Sequence, residues 1–176
     1  MAYTCAYYPT PDATLDEAQE NKFRLVFEKM NLKPGDKHLD VGCGWGSMVR
    51  YAARQGVKSL GVTLSKEQAE WAQAKIKEEG LEDLAEVRFL DYRDVTETGF
   101  DGISSIGLLE HIGVKNFASY FEFLAGKLRP GGVMVNHCIT YPDNHKTPQG
   151  DFINRYIFPD GELTGSGTII HEMQDH

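Results

Sequence analysis

The chain has 176 residues, a net charge of −8 at pH 7 and a hydrophobic fraction of 41%. This length suits about one domain, and the apolar content excludes a wholly disordered chain. The acidic balance argues against nucleic-acid binding and against simple adsorption on an anionic membrane, because both need a cationic face. No apolar run approaches the roughly 18 residues that span a bilayer. The start carries no secretory signal and the three cysteines show no paired spacing, so a reduced, cytoplasmic protein is expected.

Helical and strand patterns alternate along the first 140 residues. Thr14 with Glu17, and Ser65 with Gln68, form capping boxes that each open a helix, the second running to about residue 79. Strands are predicted at 38–41, 58–63, 86–90, 102–106 and 133–139, and further helices at 47–54 and 116–128. The sequence at 130–132, Pro-Gly-Gly, is predicted as the turn into the last strand. This alternation predicts an α/β fold with a mostly parallel sheet and helices on both faces.

Ligands of open α/β sheets bind beyond the carboxyl ends of the strands, close to the point where the strand order reverses. The segments that follow the predicted strands are 42–46, 63–64, 91–92, 107–111 and 137–140. We therefore expect these five segments to share one rim of the sheet and to carry the chemistry.

The first of these segments lies in the sequence D-V-G-C-G-W-G, residues 40–46. Gly42, Gly44 and Gly46 let the backbone pass close to a ligand and enter a helix whose N-terminus is partly positive. The spacing differs from the G-x-G-x-x-G of dinucleotide enzymes, and the second strand ends without the carboxylate that would hold a ribose diol. These two differences disfavour NAD and leave another nucleoside cofactor as the expected ligand. The alternative is that the glycines form a tight turn that binds no ligand.

Other polar groups on the predicted rim suit a nucleoside. Thr63 and Gln68 offer a hydroxyl and an amide that can hydrogen-bond sugar hydroxyls. After the third strand, Asp91 can accept a hydrogen bond from an exocyclic amine and Tyr92 can supply an aromatic wall, so this segment can border an adenine.

Six segments together are more specific than the glycine loop. They are Y-T-C-A-Y-Y (3–8), L-D-V-G-C-G-W-G (39–46), G-V-T-L-S-K-E-Q (61–68), E-H-I-G (110–113), H-C-I (137–139) and F-I-N-R-Y-I-F-P-D-G (152–161). On these segments, nearly the whole chain resembles the cyclopropane-fatty-acid synthase family, which includes mycolic acid cyclopropane synthases. The resemblance implies a Rossmann-like class I methyltransferase fold that uses S-adenosylmethionine.

The resemblance also implies two sets of site residues. The residues implied for S-adenosylmethionine are Tyr3, Thr4, Asp40, Gly42, Gly44, Gly46, Thr63, Leu64, Gln68, Asp91, Tyr92, Arg93 and Ile106. The residues implied to hold a catalytic bicarbonate ion are Cys5, Glu110, His137 and the backbone of Ile139. Tyr3 and Thr4 would fold over the cofactor, and no metal is implied.

The implied reaction is methyl transfer to the cis double bond of an unsaturated phospholipid acyl chain. The alkene attacks the methyl group and becomes a carbocation, and ring closure then requires loss of a proton to bicarbonate. The implied partners are lipid acyl chains, reached by transient contact with the inner membrane surface. Two alternatives stay open: a related methyltransferase acting on another acceptor such as a small amine, and a non-catalytic cofactor-binding fragment.

Single residues also have plainer interpretations. Cys5 can be a small buried residue of an ordered arm, and Glu110 can be a helix-start carboxylate stabilised by the helix dipole. His111 can act in place of Glu110. Cys138 is predicted to be structural, because strand alternation turns it away from His137.

Members of the family are implied to continue beyond residue 176, through two further strands and a tyrosine of the bicarbonate site. We therefore expect a domain that lacks its C-terminal strands, and an exposed sheet edge that favours homo-oligomers. The expected divisions are an N-terminal arm and helix at 1–36, a Rossmann-like core at 37–140 and the start of a substrate-covering segment at 141–176. In this last part only a short helix near 152–157 is predicted.

Overall fold

A computed structural model describes residues 2–143, 152, 155, 156 and 161–174 of the chain. The helix predicted near 152–157 lies largely outside the described residues. None of the helices in the described ranges is both long and apolar enough to cross a membrane.

Five parallel strands form one sheet in the order β3-β2-β1-β4-β5. They are β1 (Lys37–Val41), β2 (Lys58–Thr63), β3 (Ala85–Phe89), β4 (Phe100–Ile106) and β5 (Leu128–His137). The helices are α1 (Leu15–Met30), α2 (Ser47–Arg54), α3 (Lys66–Glu78), α4 (Leu109–Ile112), α5 (Phe117–Ala125) and α6 (Ser166–Met173). The strand order reverses between β1 and β4, so the ligand-binding crevice expected for this topology lies at their carboxyl ends.

Local sequence signals explain where α1 and α3 begin. The Thr14 hydroxyl accepts a hydrogen bond from the Glu17 backbone nitrogen, and the Glu17 carboxylate accepts one from the Thr14 nitrogen, which completes the predicted capping box. Ser65 caps α3 by accepting from the backbone nitrogen of Gln68. Both predicted helix starts are confirmed. The second predicted capping box is incomplete, because the Gln68 side chain bonds to Thr63 and Tyr3 instead of the Ser65 nitrogen.

The sheet separates two apolar layers. On one face, Leu39, Val41 and Ile103 pack with α5 and α6. On the other face, α1 and α2 share a cluster against which Ile106 and Val135 pack, and α2 with α3 covers β3. Helices therefore lie on both faces, as the alternating pattern predicts.

Several details differ from the sequence predictions. The helix predicted at 116–128 ends at Ala125, the last strand ends at His137 instead of residue 139, and the short helix α4 was not predicted. The segment 130–132, predicted as a turn before the last strand, lies inside β5, whose register on β4 jumps from Phe100–Leu128 to Gly102–Val133. This irregularity at the edge of the sheet accommodates two residues that disturb a regular strand. Pro130 has no backbone N–H to donate, and Gly131 has a φ of +77°. The helix α6 was not predicted, because its Gly-, Ser- and Thr-containing start has the composition of a loop.

A row of buried polar side chains crosses the α1 face of the sheet. The two ring nitrogens of His38 lie 2.8 Å from the Ser59 hydroxyl and 2.9 Å from the Ser104 hydroxyl, and the Ser104 hydroxyl donates to Asp40 at 2.5 Å. Burial lowers the pKa of His38 to about 3 and raises that of Asp40 to about 7, although the Ser104 hydrogen bond and the charge of Lys22 oppose the second shift. The row ends at the strand that leads into the glycine loop.

Candidate cofactor cavity and adjoining polar site

A cavity of about 640 Å³ opens at the carboxyl edge of the sheet. It is lined by parts of four of the five predicted rim segments, those after β1, β2, β3 and β4. The predicted cofactor residues on its wall are Tyr3, Thr4, Gly42, Gly44, Thr63, Leu64, Gln68, Asp91, Tyr92, Arg93 and Ile106. Asp40 lines a smaller adjoining pocket, together with Tyr3, Thr4 and the glycine loop. The volume is within the range of small-molecule sites, about 300–1,000 Å³.

Gly44 and Gly46 play different parts in the glycine loop. Gly44 has φ +53°, and a Cβ atom there would lie 3.5 Å from the ring of Tyr3 above the cavity. Gly46 has φ +69°, and a Cβ atom there would lie 2.9 Å from the Cβ of Ala72 and 3.2 Å from Val87. Close packing of the loop on α3 and β3 therefore explains why a glycine is needed at position 46. The predicted contact of Gly46 with the cofactor stays a prediction.

Thr63, Gln68 and Tyr3 form a hydrogen-bonded chain along one wall of the cavity. The Thr63 hydroxyl donates to Gln68 Oε1 at 3.0 Å, and Gln68 Nε2 donates to the Tyr3 hydroxyl at 3.4 Å. Three groups with hydrogen-bonding capacity thus lie where sugar hydroxyls can reach them.

The segment after β3 continues this wall, because β3 pairs with β2 and the Leu90 nitrogen donates to the Thr63 carbonyl at 3.0 Å. The Asp91 carboxylate accepts hydrogen bonds from the Arg93 backbone nitrogen at 2.9 Å and from its guanidinium at 2.9 and 2.7 Å. The Arg93 side chain thereby lowers the pKa of Asp91. The Tyr92 ring meets Tyr120 and Phe123 edge-on, at centroid distances of 5.4 and 5.7 Å. Packing therefore orients the ring of Tyr92. The Asp91 carboxylate already accepts hydrogen bonds from Arg93.

The predicted bicarbonate residues differ in burial: Glu110 and His137 each have a buried polar atom, whereas Cys5 is exposed. Glu110 is buried, its Oε1 accepts a hydrogen bond from the Ile139 backbone nitrogen at 2.8 Å, and its Oε2 has no hydrogen-bond partner within the described part of the chain. His137 Nδ1 is likewise buried and unpaired among the described residues. Burial lowers the pKa of His137, the charge of Lys22 lowers it further, and the charge of Glu110 opposes both. Cys5 is exposed on the N-terminal arm, where its charge would act on Lys22.

Lys22 is the residue that sequence reasoning missed. It lies on α1 between Ala18 and Val26, and it is buried although its type favours the surface. Its ammonium group donates to the Thr4 hydroxyl at 2.7 Å. Burial lowers its pKa to about 8, against the opposing charges of Cys5 and Asp40. The signal available in the sequence was its position four residues from both Ala18 and Val26, within the apolar stripe of α1, which indicates burial.

The sheet, the glycine loop and the cavity define a Rossmann-like domain, and the solved structures that share this fold include methyltransferases such as coclaurine N-methyltransferase. The cyclopropane synthase MmaA2 from Mycobacterium tuberculosis superposes with a TM-score of 0.89 at 32% identity, over 99% of this chain and 65% of that one. The mycolic acid cyclopropane synthase CmaA1, complexed with SAH and CTAB, gives a TM-score of 0.87 at 32% identity over the same shares. The predicted class, a Rossmann-like methyltransferase fold, is confirmed.

A family model described as mycolic acid cyclopropane synthetase matches residues 1–176, so the chain belongs to that family, as the sequence segments predicted. A probable fatty acid methyltransferase of Mycobacterium tuberculosis, Rv3720, is 64% identical over 99% of this chain and 41% of its own length. The cyclopropane-fatty-acyl-phospholipid synthase of Escherichia coli K12 is 39% identical over 100% of this chain and 44% of its own length. The chain therefore spans less than half the length of these curated relatives.

Proposed function

We propose that the chain is the cofactor-binding part of an S-adenosylmethionine-dependent methyltransferase that acts on the cis double bond of unsaturated phospholipid acyl chains and forms a cyclopropane ring. The observation that carries the proposal is the cavity at the strand-order reversal, lined by eleven of the thirteen predicted cofactor residues. The names of the relatives at 64% and 39% identity support an acyl substrate.

The cavity fits the proposed cofactor. Its volume suits a nucleoside-sized ligand, and the chain Thr63–Gln68–Tyr3 offers hydroxyl and amide groups to a ribose. The oriented Tyr92 ring offers an apolar face to an adenine. When bound, S-adenosylmethionine would supply an electrophilic methyl group.

Two buried groups support the proposed bicarbonate ion. Glu110 Oε2 and His137 Nδ1 each lack a hydrogen-bond partner among the described residues, and an ion with one hydroxyl and two other oxygen atoms has the donor and acceptors that such groups need. When bound, bicarbonate would supply a small base inside an apolar region. The depressed pKa of His137 keeps its ring neutral, with one nitrogen that donates and one that accepts.

Glu110 would contribute to the reaction through its charge. An alkene that takes up a methyl group becomes a carbocation, and a preorganised anion in a water-poor site lowers the energy of such a cation. The Ile139 nitrogen fixes one oxygen of Glu110, and the other oxygen is buried without a hydrogen-bond partner among the described residues. The proton lost on ring closure would leave towards the base held by Glu110 and His137.

The proposed substrate implies transient contact of the enzyme with the inner membrane surface.

The edge strand β5 pairs only with β4 among the described residues, which supports pairing between copies of the chain.

Incubation with radiolabelled S-adenosylmethionine and vesicles of unsaturated phospholipid tests the proposal. The experiment is done with the chain and with any longer product of its gene. We expect label in the lipid, a gain of one methylene group, and replacement of alkene protons by cyclopropane protons in the NMR spectrum. Cofactor binding without lipid labelling by any product of the gene would contradict the acyl substrate, and labelling of a small amine instead would identify an amine methyltransferase.

A further inference from the structure

Lys22 is a buried cation on an otherwise apolar face of α1. It lies one turn after Ala18 and one turn before Val26, and only 3% of its surface is exposed. An ammonium group withdrawn from water is costly unless it is hydrogen-bonded and faces opposite charge. Its presence at this position therefore calls for specific contacts, and the N-terminal arm supplies them.

The N-terminal part of α1 holds the arm, residues 3–8, through side chains. Lys22 Nζ donates to the Thr4 hydroxyl at 2.7 Å, and Gln19 Nε2 donates to the Thr4 carbonyl at 2.9 Å. Asn21 Nδ2 donates to the Tyr7 carbonyl at 2.9 Å. Thr4 is thus held at both its side chain and its backbone, and Lys22 makes the charged bond of the set.

Thr4 in turn positions part of the cavity wall. Its methyl carbon would lie 2.9 Å from a Cβ atom built on Gly107, so it closely covers the loop after β4. The preceding residue, Tyr3, reaches the opposite wall, where its hydroxyl accepts from Gln68. The arm therefore spans the cavity from β4 to α3, and Thr4 is its attachment to α1 next to the cavity, while Tyr7 is bonded to α1 through its backbone.

The charge of Lys22 is also coupled to three titratable groups on three different elements. Asp40 of β1 and Cys5 of the arm raise the pKa of Lys22 and so favour its charged form. The charge of Lys22 in turn lowers the pKa of His137 at the end of β5.

We infer that Lys22 is a positioning residue, whose buried ammonium group fixes Thr4 and hence Tyr3 across the cofactor cavity. The inference rests on the proposed function in one respect, namely that the cavity binds S-adenosylmethionine. Lys22 touches neither cofactor nor substrate, and it acts through the arm.

The test is the affinity of the chain for S-adenosylhomocysteine, measured by calorimetry, in the variant Lys22→Met. Methionine keeps the length and apolar stem of the side chain and removes the charge. We expect the dissociation constant to rise about tenfold, as loss of one charged hydrogen bond predicts. We also expect faster amide hydrogen exchange at residues 4–7 and a melting temperature that does not fall, because the buried charge is also lost. The control is Lys29→Met, which removes an exposed lysine two turns further along α1.

A second variant, Thr4→Val, removes the acceptor of the same bond. The two substitutions together should weaken binding little more than either alone, because they break one contact. If Lys22→Met does not fold, Thr4→Val alone should still weaken binding and loosen the arm. Unchanged affinity and unchanged arm exchange in either variant would overturn the inference, as would fully additive losses. Failure of the unmodified chain to bind S-adenosylhomocysteine would instead overturn the proposed function.

Discussion

The carboxylate of Glu110 accepts a hydrogen bond from the backbone nitrogen of Ile139 at 2.8 Å, which connects α4 to the residues just after β5. One carboxylate oxygen thereby has a structural partner, while the other is buried without one in the described structure. A single side chain can thus hold the two strand ends together and still offer an acceptor to a ligand.

The variant Glu110→Gln separates these two tasks. The amide oxygen can still accept from Ile139, so we expect the melting temperature to change little. The negative charge is lost, so the rate of methyl transfer should fall about 100-fold, as is usual when one electrostatic group of an active site is removed. Affinity for S-adenosylhomocysteine should stay unchanged. The control is Glu122→Gln, an exposed position on α5. An equal loss of cofactor affinity would show that Glu110 acts on the cavity instead of the reaction.

Thr63→Val tests the hydrogen-bonded chain on the cavity wall. Valine keeps the shape of threonine and removes the donor to Gln68, so both Gln68 and Tyr3 lose their alignment. We expect the dissociation constant for S-adenosylhomocysteine to rise about fivefold, in line with one net hydrogen bond. Thr96→Val, on the exposed loop before β4, is the matched control. Equal affinities of the two variants would contradict a ribose-binding role for Thr63.

A pair of glycine variants separates packing from backbone strain. Gly46→Ala forces an alanine into a left-handed conformation and places its Cβ atom 2.9 Å from Ala72. Gly80→Ala imposes a similar φ, +67°, with open space around the new atom. Denaturant unfolding should show a loss of about 1 kcal/mol for Gly80→Ala and about 3 kcal/mol for Gly46→Ala. Equal losses of unfolding free energy in the two variants would mean that the glycine loop can move away from α3 without loss of stability.

His38 makes the stability of the fold sensitive to acid. Burial lowers its folded-state pKa to about 3, whereas the unfolded chain binds the proton near pH 6.5. The unfolded state therefore binds the His38 proton between these values, and His38 should reduce the free energy of unfolding by about 1.4 kcal/mol for each pH unit from 6.5 down to about 3. Asp40 opposes this contribution down to about pH 4, because its folded-state pKa of about 7 lies above its usual value of 3.8. The contribution of His38 is therefore measured as the difference in free energy of unfolding between the unmodified chain and His38→Gln, by urea unfolding at several pH values. The control is His171→Gln, at an exposed position on α6. A difference that does not change with pH would contradict a buried, neutral His38.

The sequence predicted the elements whose signals are local. Thr14 and Ser65 begin helices because their hydroxyls cap the next turn, and Gly44 marks the loop because few other residues adopt its φ. The positions of β1 to β4 followed from short apolar runs, within two residues of the observed bounds.

Features that depend on tertiary contacts were not predicted. Lys22 was not singled out from the sequence, because a charged side chain usually lies at the surface, and its burial becomes evident only when the arm folds onto α1. The irregular start of β5 depends on pairing with β4, which overrides the turn preference of its proline and glycines. The bond between Glu110 and Ile139 joins residues 29 positions apart, and no local rule specifies it.

The buried row of side chains on the α1 face has a direction. While Asp40 is ionised, it can only accept, so the Ser104 hydroxyl donates to it and must itself accept from His38 Nε2–H. His38 Nδ1 then accepts from the Ser59 hydroxyl. A protonated Asp40 can donate instead, which allows every bond in the row to reverse and moves the imidazole proton to the other nitrogen. The charge of Asp40, just before the glycine loop, thus decides whether His38 is restricted to the tautomer with its proton on Nε2.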